Sequence, residues 1–185
     1  MQVVQPIREQ EKIEQMQEIL IRQSHRDWLL FTIGINSGLH LSDLLTLRVQ
    51  DLKGKNKVMI REEKTGKEKT FMIHAKLGES ILEYVKFMDD NDFVFPSQRT
   101  GKPIKRIRVY RILNEAAKQI GLHDIGTHTL RKTFGYHYYQ KTKNISVLRD
   151  LFNHSAPSVT LRYIGVQTEN QMEIGQQPAM NKKHA

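Results

Sequence analysis

The chain contains no cysteine. Disulfides, thiolate metal sites and cysteine nucleophiles are therefore excluded together, and a reducing compartment suits it. It also lacks any apolar run near the ~20 residues a helix needs to span a bilayer. Its start, "MQVVQPIREQEKIEQ", has no apolar core of the kind secretory signals carry. These absences predict a soluble, cytoplasmic protein with no membrane partner. Eight histidines are present, yet no His-Glu-x-x-His motif and no carboxylate–histidine cluster accompanies them. No metal is expected, and no other cofactor is indicated. Internal repeats and low-complexity tracts are missing too. Acidic residues are in short supply, 20 Asp+Glu against 29 Lys+Arg, for a net charge of +9 and a pI near 9.7. A polyanion is the implied partner: DNA, RNA or an anionic surface.

At 185 residues the chain is long enough for one domain with its own core. After Pro6, Ile13, Met16, Ile19 and Leu20 recur at helical spacing. "WLLFTIGINSG" is apolar all round and stops at Gly38, which predicts a buried helix with a glycine end. "LSDLLTL" reads as a short helix capped by Ser42. The pattern then changes to two β-like runs, 57–62 and 68–74, around a turn at Thr65-Gly66. Lys64 stands just before the tip. Helical periodicity returns at 76–88 and in the basic stretch 105–122. Thr127, Asn144 and Ser158 are placed to cap three further helices. From 166 onward the chain turns polar and reads as a tail. The expected class is α+β, mostly helical, with a small antiparallel sheet at one edge.

Four residues near the C-terminal end form the informative pattern. His128 and Arg131 are three apart and share a helix face. His154 lies 23 residues beyond Arg131, and Tyr163 nine beyond His154. With "HTLRKTF", "LFNHSAPSVT" and "RYI" in this order, the chain resembles the catalytic domain of the tyrosine recombinase, or phage integrase, family. "NSGLHLSDLLTLRVQDL" is similar to an earlier box of that family, and "KTGK" sits where the family keeps a catalytic lysine. The likeness runs over about residues 8–165.

The resemblance implies a fold and a reaction. A tyrosine hydroxyl attacks a DNA phosphodiester, a 5′-hydroxyl leaves, and a 3′-phosphotyrosine bond stores the energy for rejoining. Neither ATP nor metal is needed. It assigns Tyr163 as nucleophile, Arg131 as a phosphate clamp, His128 as base and His154 as a donor to a phosphate oxygen. Lys64 becomes the acid for the leaving oxygen, and Asp43 a carboxylate that orients basic neighbours. The residue types suit this chemistry. A guanidinium offers a planar fork that stays charged, and imidazole moves protons near neutrality.

One position departs from the pattern. His40 stands where the family has its first catalytic arginine, although Gly38, Leu39, Ser42 and Asp43 around it agree. Loss of one preorganised oxyanion donor typically costs ~10²–10³ in rate, so slow or absent cleavage is expected. The alternative is a recombinase-derived module that holds DNA or a partner without cutting. Residues 1–165 are expected to be the integrase-like domain without an N-terminal clamping domain, and 166–185 a tail. Lys67, Lys102, Lys105, Arg106, Arg108 and Arg111 are the expected contacts to double-stranded DNA, on which the protein would self-associate as a dimer or tetramer. A helix-turn-helix over 127–152 would leave the hairpin and Tyr163 unexplained.

Overall fold

The computed structural model describes residues 4–63 and 65–166. The tail beyond 166 and Lys64 lie outside the described residues. Two helices packed on each other open the chain, α1 (Gln10–Gln23) and α2 (His25–Ser37). Ile13, Met16 and Leu20 line the buried face of α1, as their spacing predicts. Ser24 starts α2, its hydroxyl accepting from the Asp27 amide at 3.4 Å. The helix ends at Gly38, whose φ of +66° is open to glycine at low cost. A side chain there would also strike Phe134.

Two short helices follow, α3 (Leu41–Leu45) and α4 (Val49–Leu52). The hairpin comes next: β1 (Lys57–Arg61) pairs antiparallel with β2 (Glu68–Met72), with Val58 opposite Phe71 and Ile60 opposite Lys69. Alternation points Val58, Lys69 and Phe71 inward and leaves Met59 and Met72 outside. Then come α5 (Ala75–Val85), α6 (Arg106–Gln119), α7 (Thr127–Thr142), α8 (Ile145–Phe152) and α9 (Pro157–Tyr163).

Helix α2 is the centre of the domain and packs against both α1 and α7. The missing side chain at Gly38 is one reason α7 can come so close. Leu29, Phe31 and Ile33 on α2 are fully buried. Each such side chain contributes about 1.5–3 kcal/mol through burial. No described helix is long and apolar enough to cross a membrane.

Asn144 caps α8 as expected, accepting from the Val147 amide at 3.3 Å. Three other capping expectations change. Thr127 does not cap α7: Gly126 holds the N-cap position, and its amide donates to the Thr129 hydroxyl at 3.0 Å. Ser158 does not cap α9, because Pro157 already occupies the first turn, where its fixed φ and missing N–H cost nothing. At α3 the N-cap is His40, not Ser42, so the imidazole sits at a loop–helix junction.

Candidate active site

Arg131 lies one turn into α7 and is 4% exposed. Burying a guanidinium is costly unless its donors are satisfied. One amino group donates to the Gly38 carbonyl at 2.5 Å and the other to the Leu151 carbonyl at 3.4 Å. The guanidinium carbon lies 4.5 Å from the centre of the Phe152 ring. Arg131 therefore joins the end of α2 to the end of α8. Burial lowers its pKa, and Tyr163, Glu62 and Asp43 oppose that.

Two carboxylates lie nearby. Asp43 is 4% exposed and accepts from the Glu63 amide at 3.1 Å. Its pKa is raised by burial first; repulsion from Glu62 and Glu63 adds to this, while the Glu63 amide and Arg131 oppose it. Asp43 thus ties α3 to the end of the hairpin strand. Glu62, 2% exposed, lies 3.5 Å from His40 Nε2 and 3.8 Å from the Arg131 guanidinium.

His40, His128, Arg131 and Arg106 line one cavity of about 190 Å³. His128 stands at the start of α7. Desolvation by the surrounding walls holds its pKa below the ordinary value, helped by repulsion from Arg106, Lys132 and Arg131. At neutral pH the ring is uncharged, the state in which imidazole accepts a proton. Arg106, at the start of α6, is exposed and also lines the wall of this cavity.

Tyr163 is the last residue of α9 and half-buried. Its ring packs edge-on against Phe152 at 5.4 Å and His154 at 5.0 Å, and the Lys132 ammonium lies 5.1 Å from its centre. Burial pushes the phenol pKa up, and the charge and hydrogen bond of Arg131 only partly reverse this. The net shift is upward because a half-buried phenolate loses more hydration than one guanidinium returns. His154 follows α8, whose C-cap Asn153 adopts a left-handed conformation. Its Nδ1 lies 3.0 Å from the Thr160 hydroxyl. Burial, then Arg131, keeps its pKa low.

The hairpin reaches the same region. Lys67 places its ammonium 2.5 Å from the Asn153 side-chain oxygen. Lys69, buried, donates to the Leu151 carbonyl at 2.6 Å. Lys64, between Glu63 and Thr65 in the chain, lies outside the described residues. Lys102, Lys105 and Arg108 line an open groove, with Arg26 and Arg99. Arg111 is exposed on the same helix as Arg108. Among the described residues, no group of His, Asp and Glu could hold a metal ion.

Residues 7–170 match the sequence model of the phage integrase family. The chain belongs to that family. It is 50% identical over 169 residues to the probable integrase/recombinase YoeC of Bacillus subtilis, covering 91% of this chain and 93% of YoeC. It is 32% identical over 155 residues to a tyrosine recombinase of Pseudothermotoga lettingae, covering 82% of this chain and 53% of that one. It thus spans about half of the second relative. Among solved structures, XerH site-specific recombinase bound to its difH substrate shares the fold with a TM-score of 0.72 at 21% identity, covering 94% of this chain and 53% of XerH. The architecture is that of a tyrosine recombinase catalytic domain, mostly helical with a two-stranded sheet.

Within this integrase fold, sequence reasoning missed Glu62, Lys69 and Thr160. The first two carried a signal. Strand alternation from Val58 puts Glu62 on the inward face, and alternation back from Phe71 does the same for Lys69. Thr160 had none, since its partner His154 sits across a turn.

Proposed function

We propose that the chain is a site-specific DNA strand transferase that cleaves and rejoins DNA through Tyr163. One observation carries this reading: the Tyr163 hydroxyl meets the buried Arg131 guanidinium beside a cavity that His40, His128 and Arg106 also line. A phosphodiester seated there would meet donors on one side and the phenol on the other. As the Tyr163 Oη–P bond forms, the P–O5′ bond breaks and a 3′-phosphotyrosine results. The phenol proton passes to neutral His128, directly or through water. The leaving 5′-oxygen takes a proton from Lys64. Arg131 stabilises charge on the non-bridging oxygens, where a fixed guanidinium costs no reorganisation. Where Thr160 donates to Nδ1 of His154, Nε2–H is left to donate to a phosphate oxygen.

Asp43 orients the hairpin strand beside His40. Lys102, Lys105, Arg108, Arg111 and Lys67 supply phosphate contacts to double-stranded DNA, and Arg106 joins them from the cavity wall. Residues 1–165 act as the catalytic unit, in the cytoplasm, with no metal or cofactor, and self-associate on DNA. A nicked suicide duplex tests the reading. A covalent protein–DNA adduct that is lost in Tyr163→Phe supports it; absence of adduct in the native chain sinks it. The second reading, a non-cleaving DNA module, is favoured by His40. An adduct formed by His40→Arg but not by the native chain would establish it.

A further inference from the structure

Glu62 is a buried carboxylate that strand transfer, as set out above, leaves without a role. It directly follows β1 and is 2% exposed. One oxygen accepts from the Thr65 hydroxyl at 2.6 Å. The other, Oε1, has no hydrogen-bond partner among the described residues. It lies 3.5 Å from His40 Nε2 and 3.8 Å from an Arg131 amino group. A carboxylate held out of water needs compensating positive charge close by. Arg131 supplies only part of it, because its amino groups are committed to the Gly38 and Leu151 carbonyls. The group standing at the remaining approach is His40.

We propose that Glu62 holds His40 in its protonated form, so that the imidazolium presents a second cation to the scissile phosphate beside Arg131. His40 would then touch the substrate and Glu62 would be a positioning residue. Both ring nitrogens become donors in this state. Among the described residues, the charged and titratable groups placed beside His40 are Glu62 after β1, Arg131 and His128 from α7, and Arg106 from α6. Lys64 lies outside the described residues. Arg131 and Arg106 oppose protonation; Glu62 favours it. Glu62 stands within ion-pair range, where an opposite charge favours the protonated ring by roughly 1–3 pH units. An incoming phosphate acts in the same direction.

The protonation does not depend on the strand-transfer reading, but its catalytic consequence does, so the test has two arms. The first follows the His40 ring by NMR titration in the native chain and in Glu62→Gln. The expected midpoint lies above the ordinary ~6.5 of histidine and falls by about one pH unit or more in Glu62→Gln. A native midpoint at or below the ordinary value, or one that Glu62→Gln leaves unmoved, overturns the proposal. The second arm measures adduct formation on nicked DNA in the native chain, Glu62→Gln, His40→Arg and the double variant. Glu62→Gln is expected to slow the native chain about 10²-fold. With His40→Arg the same change costs no more than about threefold, because a guanidinium stays charged unaided. An equal loss in both backgrounds would make Glu62 a mere support for Arg131 and overturn the proposal. If the native chain forms no adduct, strand transfer falls and the titration decides the proposal alone.

Discussion

Among the described residues, Arg131 and His40 are flanked by a core of 31 buried apolar side chains, whereas His154 and Tyr163 stand over a core of three, Leu148, Phe152 and Ile164. The first core spans the chain from Ile7 to Leu130 and is centred on α2. The second is completed by partly buried aromatics, Phe134, Tyr138, Tyr139 and Tyr163 itself. The half that carries the guanidinium is therefore anchored by most of the domain. The tyrosine half is a small flap joined to the rest through Arg131, Lys67, Lys69, the hydrogen bond from Arg8 to the Gly165 carbonyl, and the α7 surface. Arg131 is backed by the larger core, whereas Tyr163 rests on the smaller one. Local opening follows apolar burial, so the flap should open well before the domain unfolds.

The strongest way to break this contrast separates chemistry from packing. Tyr163→Phe should abolish the covalent DNA adduct while shifting stability by only about 1 kcal/mol or less, read from urea unfolding. A large loss of stability would mean the hydroxyl holds the flap in place. Next is Gly135→Ala. A methyl there would stand 2.7 Å from the Ile164 side chain and 2.8 Å from the Phe152 ring. Overpacking should cost about 1–3 kcal/mol. Displacement of Tyr163 by even about 1 Å should slow adduct formation ~10²-fold. Stability lost without slower cleavage would show that the small core does not position the tyrosine.

Hydrogen exchange sharpens the contrast further. Amides of α8 and α9 should exchange through local opening, at a free energy below the global value that protects α2. Equal protection would make the two cores one cooperative unit. A weaker effect is expected on pH dependence. His128 and His154 are both held below the ordinary histidine value. Folded, they take up protons only at lower pH than the unfolded chain, which binds them from about pH 6.5 downward. Their contribution to stability is thus present above that pH and lost as pH falls through about 6.5 towards their folded values. The urea midpoint should fall as pH drops from about 7.5 to about 5.5, and fall less in His154→Asn. Asp43, whose pKa burial raises from its ordinary value, works in the opposite direction at lower pH.

Much of the architecture was legible in the order of residues. Helical spacing marked α1 and α6, Gly38 marked the end of α2, and alternation marked both strands. Caps were less legible, because Thr127 and Ser158 compete with neighbours whose backbone geometry a propensity cannot rank. The candidate site residues were found from motif spacing, which orders residues along the chain and not their protonation. Arg131 eases the phenol of Tyr163, but burial outweighs it, and burial is a property of the packed fold. Glu62 was passed over in "REEKTG" because an acidic pair in a hairpin looks solvated.

The order of residues settled which side chains are available: the helix faces, the hairpin, and the succession His128, Arg131, His154, Tyr163. These follow from local periodicity and spacing, which need no third dimension. The electrostatic state of the site came from the packed fold alone. The hairpin brings Glu62 to within 3.5 Å of His40, far earlier in the chain. Arg131 brings the Gly38 and Leu151 carbonyls together on one guanidinium. Charge and desolvation act through distance in space, and that distance is set when the two cores close.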